Sequence, residues 1–448
     1  MGVLVFTVTW WICEPIPMAA TALLGPLLCV MTGVGTVSSV FQPFASPVIF
    51  LFIGTFLFAE AAHKHGLDRR LALNVLSWPG VARSPVRMLL AIGMISGFLS
   101  MWMSNAAVTA LMLPVALGLL KSDEQLNDPR MATSVLLMIA FAASAGGLAT
   151  PIGTPPNLIG IGMLKELTHH EVSFLGWMVA GLPLTLVLIG VLVWILRPQG
   201  LSWSSDHHVL TKKIWEQARA LGAVSRGEGN VVFVFVVALL AWTYPSVAMI
   251  FSGGKGMGAG WFSQHLPEEL VGLAMGLLLF VLPINLKRWE FTVDWRDGAK
   301  IDWGTILLFG GGMALGKLIS TTGLDEAMGK AVMGWLGSPG LWTMMAVGIV
   351  ASIALSEFTS NTAAVNVMMP LMIALAKAAD VNPVTVGIAT CLACSFGFML
   401  PVSTAPNAIV FGSGRVPLRR MMSLGIQFDL IGAVLIWVWM VICGKWIG

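Results

Sequence analysis

Apolar segments long enough, or nearly long enough, to cross a bilayer follow one another along this chain, and that succession leaves little choice of fold. Segment 174–196 contains no charged residue, and further apolar segments lie at about 17–33, 46–62, 231–250, 267–284, 302–319 and 424–444. A helix rises about 1.5 Å per residue and needs about 20 apolar residues to cross ~30 Å of hydrocarbon. With 57% hydrophobic residues, 10% charged and a mean hydropathy of +0.85, the chain carries more apolar surface than a soluble fold can bury. An all-α polytopic membrane protein is expected. The net charge of +3 is too small to point to nucleic acid. The five cysteines, Cys13, Cys29, Cys391, Cys394 and Cys443, all lie in apolar context, so no disulfide framework is expected. Cys391-Leu-Ala-Cys394 has redox spacing but sits in a span and reads as packing.

Against this background two short polar runs stand out. Ser356-Glu357-Phe358-Thr359-Ser360-Asn361-Thr362 lies in apolar sequence, and Ser100-Met101-Trp102-Met103-Ser104-Asn105-Ala106 repeats its Ser-x-x-x-Ser-Asn spacing 256 positions upstream. Polar side chains at membrane depth persist only where they face protein, water or a ligand. The arms flanking each run, about 86–120 and 341–375, are short for a pair of spans. Each is therefore expected to be a re-entrant hairpin with its Ser-Asn at the tip. Two further segments, 133–164 and 384–412, are interrupted by Thr150-Pro-Ile-Gly-Thr-Pro-Pro-Asn157 and Ser403-Thr-Ala-Pro-Asn407. Proline removes a backbone donor and clashes with the preceding turn, so both helices are expected to break there. Residues 64–78 read as a basic amphipathic helix at the membrane interface. Residues 3–13 are apolar but only half a span, and the absence of a basic leader argues against a signal peptide.

The halves match in order. Gly66-Leu-Asp68 recurs as Gly323-Leu-Asp325, the Ser-Asn tips recur, and Thr154-Pro-Pro-Asn157 recurs as Thr404-Ala-Pro-Asn407, at offsets of 257, 256 and 250 residues. Three matches at a nearly constant offset imply an internal repeat. Residues 1–200 form the first repeat, 201–229 a cytoplasmic linker, and 230–448 the second repeat. Threading the chain through these spans leaves only Lys165, Lys255, Lys317, Lys330, Lys377 and Lys445 on one face. The other 19 of the 25 Lys and Arg fall on the opposite face, which is cytoplasmic by the positive-inside rule. In that arrangement the first hairpin enters from the cytoplasm and the second from outside, so the repeats are inverted. Inverted repeats with broken helices at the midplane mark a secondary transporter.

Tips and breaks free backbone groups from helical hydrogen bonding. Helix N-termini favour an anion, while freed carbonyls and hydroxyl oxygens suit Na+. No Lys or Arg lies near the four polar elements, so a bound dianion needs its charge offset by dipoles and co-bound cations. A lone Ser-Asn in an apolar helix is usually interhelical glue; repetition beside matched Pro-Asn breaks argues otherwise. Glu357, whose counterpart is Met101, reads as structural, and Glu14 as interfacial. His169-His170-Glu171 lacks metalloprotease spacing, and no metal site beyond sodium is expected. An intramembrane hydrolase would need a base beside Ser104 or Ser360, and none is near. A passive anion channel is the remaining alternative, distinguished by flux that neither saturates nor couples.

Ser104-Asn105-Ala106, Ser360-Asn361-Thr362, Gly153-Thr-Pro-Pro-Asn157 and Thr404-Ala-Pro-Asn-Ala-Ile-Val-Phe411 together resemble the divalent anion:sodium symporter family, close to its bacterial dicarboxylate transporters. The resemblance covers essentially the whole chain. It implies an elevator-type homodimer in the cell inner membrane, two sodium ions as coupling ions, one small dicarboxylate and no other cofactor. By motif position it implies a first sodium site at Ser100, Ser104, Asn105 and Gly153, and a second at Ser356, Thr359, Asn361 and Ser403. The substrate would lie between Ser104-Asn105 and Ser360-Asn361-Thr362, with Thr154 and Thr404 nearby. Ala106 departs from the usual Thr, and Ala405 stands where a second Pro is common. The family's usual first span is not found ahead of residue 3. The expected function is sodium-coupled import of C4-type dicarboxylates. Sulfate or another small dianion, or sodium-independent exchange, is the alternative.

Overall fold

The computed structural model describes residues 1–78, 80–121, 127–198, 215–251, 261–262, 264–324, 327 and 339–447. Asp325, Lys212, Lys213, Lys255, Lys330 and most of the first half of the expected linker lie outside them. Eight of the described helices are long and apolar enough to cross a membrane. The few strand residues, β1 (Pro283–Asn285) and β2 (Glu290–Phe291), form one antiparallel ladder.

The first half begins with α1 (Gly2–Cys13), α2 (Met18–Met31), the short α3 (Val37–Phe41) and α4 (Pro47–Lys64). Next comes the amphipathic α5 (Leu67–Leu76), within the expected interfacial segment. The first hairpin is α6 (Pro85–Ser100) returning as α7 (Asn105–Lys121). At 1.5 Å per residue each arm spans about 25 Å, short of the bilayer core, as the arm lengths imply. The first broken helix follows as α8 (Pro129–Gly146), a 3-10 turn at Gly147–Ala149, and α9 (Pro155–Thr168). α10 (Phe174–Leu196) closes the half.

In the second half α11 (Arg226–Phe251) begins inside the segment expected to be linker, because Ser225 and Glu228 cap it reciprocally: the Glu228 amide donates to Ser225 Oγ at 3.1 Å and the Ser225 amide to Glu228 Oε2 at 2.6 Å. α12 (Glu268–Val281), α13 (Trp295–Gly298) and α14 (Trp303–Thr321) follow. The second hairpin is α15 (Leu341–Phe358) and α16 (Asn361–Ala378). The second broken helix is α17 (Pro383–Ala393) and α18 (Ala405–Gly412), and α19 (Leu418–Ile447) ends the chain.

Each hairpin packs around a helix of small residues. α8 is buried from Met131 to Gly146, and α6 and α7 both lie on it. Gly97 and Gly146 permit this approach: a Cβ added at Gly146 would overlap the Gly97 backbone. α17, buried from Val384 to Ala393, takes the same place between α15 and α16. Close backbone contact through small residues replaces the hydrophobic driving force that lipid removes.

Contacts between the halves are reciprocal. α2 packs on α14 and α4 on α12, while α9 lies on α16 and α17 and α18 lies on α7 and α8. Gly54, Gly272 and Gly276 make the α4–α12 crossing so close that a Cβ at Gly54 would overlap the Gly272 carbonyl. At the ends of the bundle, Lys64 Nζ meets Asp297 Oδ2 at 2.7 Å, and Arg70 grips Glu228 through Nε at 2.6 Å and Nη2 at 3.1 Å. Lys317 pairs with Glu166 at 3.4 Å and Lys377 Nζ donates to the Leu167 carbonyl, which places the lysines of α14 and α16 together at the end of α9.

Candidate functional site

Each half builds a small polar nest where its hairpin tip meets its broken helix. In the first, Ser100 Oγ donates to Asn105 Oδ1 at 2.6 Å across the tip, and Ser104 caps α7 by accepting the Ala107 amide at 3.2 Å. The break is pressed against this tip. A Cβ on Gly147 would fall 2.7 Å from Asn105 Oδ1 and 3.1 Å from Thr154 Cβ; one on Gly153 would fall 3.0 Å from the Ser100 carbonyl oxygen. Only glycine allows that approach. Ser100, Asn105, Gly153 and Thr154 are thus one cluster, with Ser104 at its exposed edge.

The second half repeats the arrangement. Ser356 Oγ lies 2.7 Å from Asn361 Oδ1 and 2.8 Å from the Cys394 carbonyl, sharing its single proton between them. Ser360 caps α16 through the Ala363 amide at 3.1 Å. A Cβ on Gly397 would fall 3.1 Å from the Ser356 carbonyl oxygen and 3.2 Å from Ser403 Cβ. Thr359 is buried, its hydroxyl donating to Leu355 O at 3.0 Å. Thr362 is half-buried, and Thr404 caps α18 by accepting the Asn407 amide at 3.3 Å.

The two Pro-Asn asparagines hold the breaks open. Asn157 Nδ2 donates to the carbonyls of Gly147 and Thr150, both at 2.8 Å; Asn407 Nδ2 donates to Gly397 at 3.1 Å and Leu400 at 3.0 Å. The partners lie ten and seven residues upstream in both cases. Carbonyls that the break removes from helical bonding are thereby satisfied, as burial requires. Among the described residues the Oδ1 atoms of both asparagines are buried without a hydrogen-bond partner. The prolines that suggested the breaks occupy the first turns of α9 and α18. There a missing N–H costs nothing and the fixed φ favours helix, so they begin the second arm rather than end the first.

The donor set in both nests is hydroxyl, amide and carbonyl oxygen, which suits a hard monovalent cation rather than a transition metal. The N-termini of α7 and α9 meet in one nest and those of α16 and α18 in the other, adding partial positive charge for an anion. No hydrogen bond among the described residues joins a tip side chain of one half to a tip side chain of the other. They are linked through the helices behind them, where Cys391 Sγ donates to the Pro156 carbonyl at 3.2 Å. A cavity of about 470 Å³ between α4, α9, α11 and α12 reaches the first break at Pro151 and is lined by Lys165, Glu268 and Glu269.

Three residues belong to this picture that motif reading did not place in it. Glu357 is buried, and its carboxylate accepts the Met399 amide at 2.8 Å, the Leu400 amide at 3.2 Å and the Ser403 hydroxyl at 2.8 Å. Asp429 of α19 is buried against Glu357 and the Phe398 amide. Asn366 donates to the Thr362 carbonyl at 2.8 Å and packs against Gly312, where a Cβ would overlap its Oδ1. The run Gly310-Gly311-Gly312 inside a span was the available signal for that contact.

Multiple spans, two hairpins and two broken helices around oxygen-lined nests define a polytopic membrane transporter rather than an enzyme. The family described as the sodium:sulfate symporter transmembrane region matches residues 1–448, and this chain belongs to it. It is the divalent anion:sodium symporter family that the tip motifs resemble. The sodium-dependent dicarboxylate transporter SdcS of Staphylococcus aureus is 32% identical over 97% of this chain and 84% of its own length. Among solved structures, the Alcanivorax borkumensis YdaH transporter aligns with a TM-score of 0.62 at 14% identity, covering 94% of this chain and 89% of its own. Neisseria gonorrhoeae MtrF aligns with a TM-score of 0.62 at 12% identity, covering 94% and 84%. At those identities the two structures bear on the fold alone.

Proposed function

We propose that this protein is a sodium-coupled importer of C4-type dicarboxylates such as succinate, malate or fumarate. The observation that carries the reading is the repeated nest: a Ser–Asn hydrogen bond across each tip, pressed on an asparagine-locked break, with no Lys or Arg in either. A dianion held there needs cations beside it, which makes sodium binding and substrate binding interdependent. The dicarboxylate specificity of the 32%-identical SdcS, stated in its name, supports the substrate class.

In this reading Ser100, Ser104, Asn105 and Gly153 hold one sodium ion, and Ser356, Thr359, Asn361 and Ser403 hold the second. The dianion lies between Ser104-Asn105 and Ser360-Asn361-Thr362, with Thr154 and Thr404 flanking it. The repeats are inverted, the linker faces the cytoplasm, and the hairpins and broken helices move as one body against α4, α11 and α12 in a homodimer. Each net positive charge carried inward gains about 2.3 kcal/mol per 100 mV of membrane potential. Uptake of labelled succinate into proteoliposomes is expected only with an inward sodium gradient, and equal uptake without sodium overturns the symport.

A second reading is favoured by Ala106, which removes one hydroxyl from the substrate side of the first nest. With fewer contacts for a second carboxylate, sulfate or another compact dianion fits. Excess sulfate that abolishes succinate uptake while itself being accumulated selects this reading.

A further inference from the structure

The two nests are fastened differently. In the first, the Thr150 hydroxyl of the break donates to the Met101 carbonyl at the tip, a single neutral bond. In the second, the residue equivalent to Met101 is Glu357, and its side chain adds acceptors that Met101 lacks: it takes the amides of Met399 and Leu400 and the hydroxyl of Ser403. Ser403 Oγ also lies 2.8 Å from the Glu357 backbone carbonyl, so both acceptors within reach of its proton belong to Glu357. A hydroxyl whose proton is drawn to one side presents its lone pairs to the other. Hydrogen bonds to charged acceptors are about twice as strong as neutral ones, and outer partners of this kind orient the groups that touch an ion.

We propose that Glu357 is the positioning residue of the second sodium site, where its carboxylate holds the break loop on the hairpin tip and turns the Ser403 hydroxyl oxygen toward the ion. The inference rests on the sodium assignment of Ser403 made above. It makes the two sodium sites unequal: the second has a carboxyl group behind it that gathers two amides and the Ser403 hydroxyl, and the first has none. Sodium at the second site therefore binds more tightly and depends on Glu357, while the first is indifferent to it.

The test is the sodium dependence of Glu357→Gln and Ser403→Ala, read in two ways. One is the sodium half-saturation of succinate uptake in proteoliposomes; the other is the sodium-dependent rise in melting temperature of the purified protein, which needs no substrate. The amide of Gln presents a donor where Glu357 accepts three hydrogen bonds, so Glu357→Gln should raise the sodium half-saturation about tenfold or more. The succinate KM at saturating sodium should stay within about twofold, a split that general loss of packing does not produce. Thr150→Val should shift the sodium half-saturation far less. If Ser403→Ala raises the sodium half-saturation and Glu357→Gln does not, the role of Glu357 is overturned and the sodium site stands. An unaltered sodium response in Ser403→Ala removes the sodium site itself, and the proposal with it. Should Glu357→Gln fail to fold, Glu357→Asp, which keeps the charge but shortens the reach, is expected to raise the half-saturation several-fold; a wild-type value overturns the proposal.

Discussion

Thr362 and Ala106 stand one residue past the two tip asparagines, and only Thr362 carries a hydroxyl there. Its backbone is fixed by the Asn366 amide, and its side chain is half-buried at the mouth of the nest. Loss of one neutral hydrogen bond is worth about 0.5–1.5 kcal/mol, so Thr362→Ala should raise the dicarboxylate KM roughly three- to tenfold with expression retained. Uptake kinetics identical to wild type would take Thr362 out of the substrate site. Ala106→Thr adds a hydroxyl at an equally half-buried position and is expected to be tolerated, with an unchanged or lower KM. That asymmetry was legible in the sequence because the motifs align residue by residue. The partners of Glu357 were not. Its hydrogen-bond acceptors meet amides 42 and 43 positions further on, and no local pattern specifies which backbone a carboxylate will reach across such a distance.

The hairpins and breaks were legible for physical reasons. Polar tips in apolar surroundings and adjacent prolines each limit the local backbone by themselves; arm length does so only in the first hairpin, since α15 and α16 are each long enough to cross. What holds the breaks open was less so: the asparagines of the Pro-Asn pairs, each satisfying two stranded carbonyls. Each buried group left unpaired costs about 1–3 kcal/mol, so Asn157→Ala and Asn407→Ala should each lower the melting temperature by several degrees in detergent. Similar losses in both are expected from the matching geometry; a wild-type melting temperature in either contradicts the lock. Gly147→Ala is a harsher change, since its Cβ would meet Asn105 Oδ1 at 2.7 Å. Sodium-dependent uptake should be lost while the protein still reaches the membrane, as measured by uptake normalised to purified protein.

On the scale of the molecule, stability also draws on ion pairs outside the spans. Burial pushes the Asp297 carboxyl up, but hydrogen bonds from Lys64, the Asp294 amide and Lys300 outweigh it and hold it at about 2. A carboxyl depressed on folding stabilises the fold above its unfolded value and loses that contribution as pH falls through its folded one. The melting temperature should therefore fall as pH drops from about 4 toward 2, and Lys64→Met should flatten that part of the profile. The sequence by itself determined the class of this protein, most of its spans and the places where the chain turns back or breaks. Those follow from hydropathy, segment length and proline chemistry, which act within a few turns of chain. Only the tertiary structure decided that α2 lies on α14 and α4 on α12, that each broken helix rests on the other half's hairpin, and that one nest is fastened by a carboxylate and the other by a hydroxyl. Such contacts join residues tens to hundreds of positions apart. They are selected by the fit of glycine-lined surfaces and by buried polar groups finding partners, and neither is written in any local stretch of sequence.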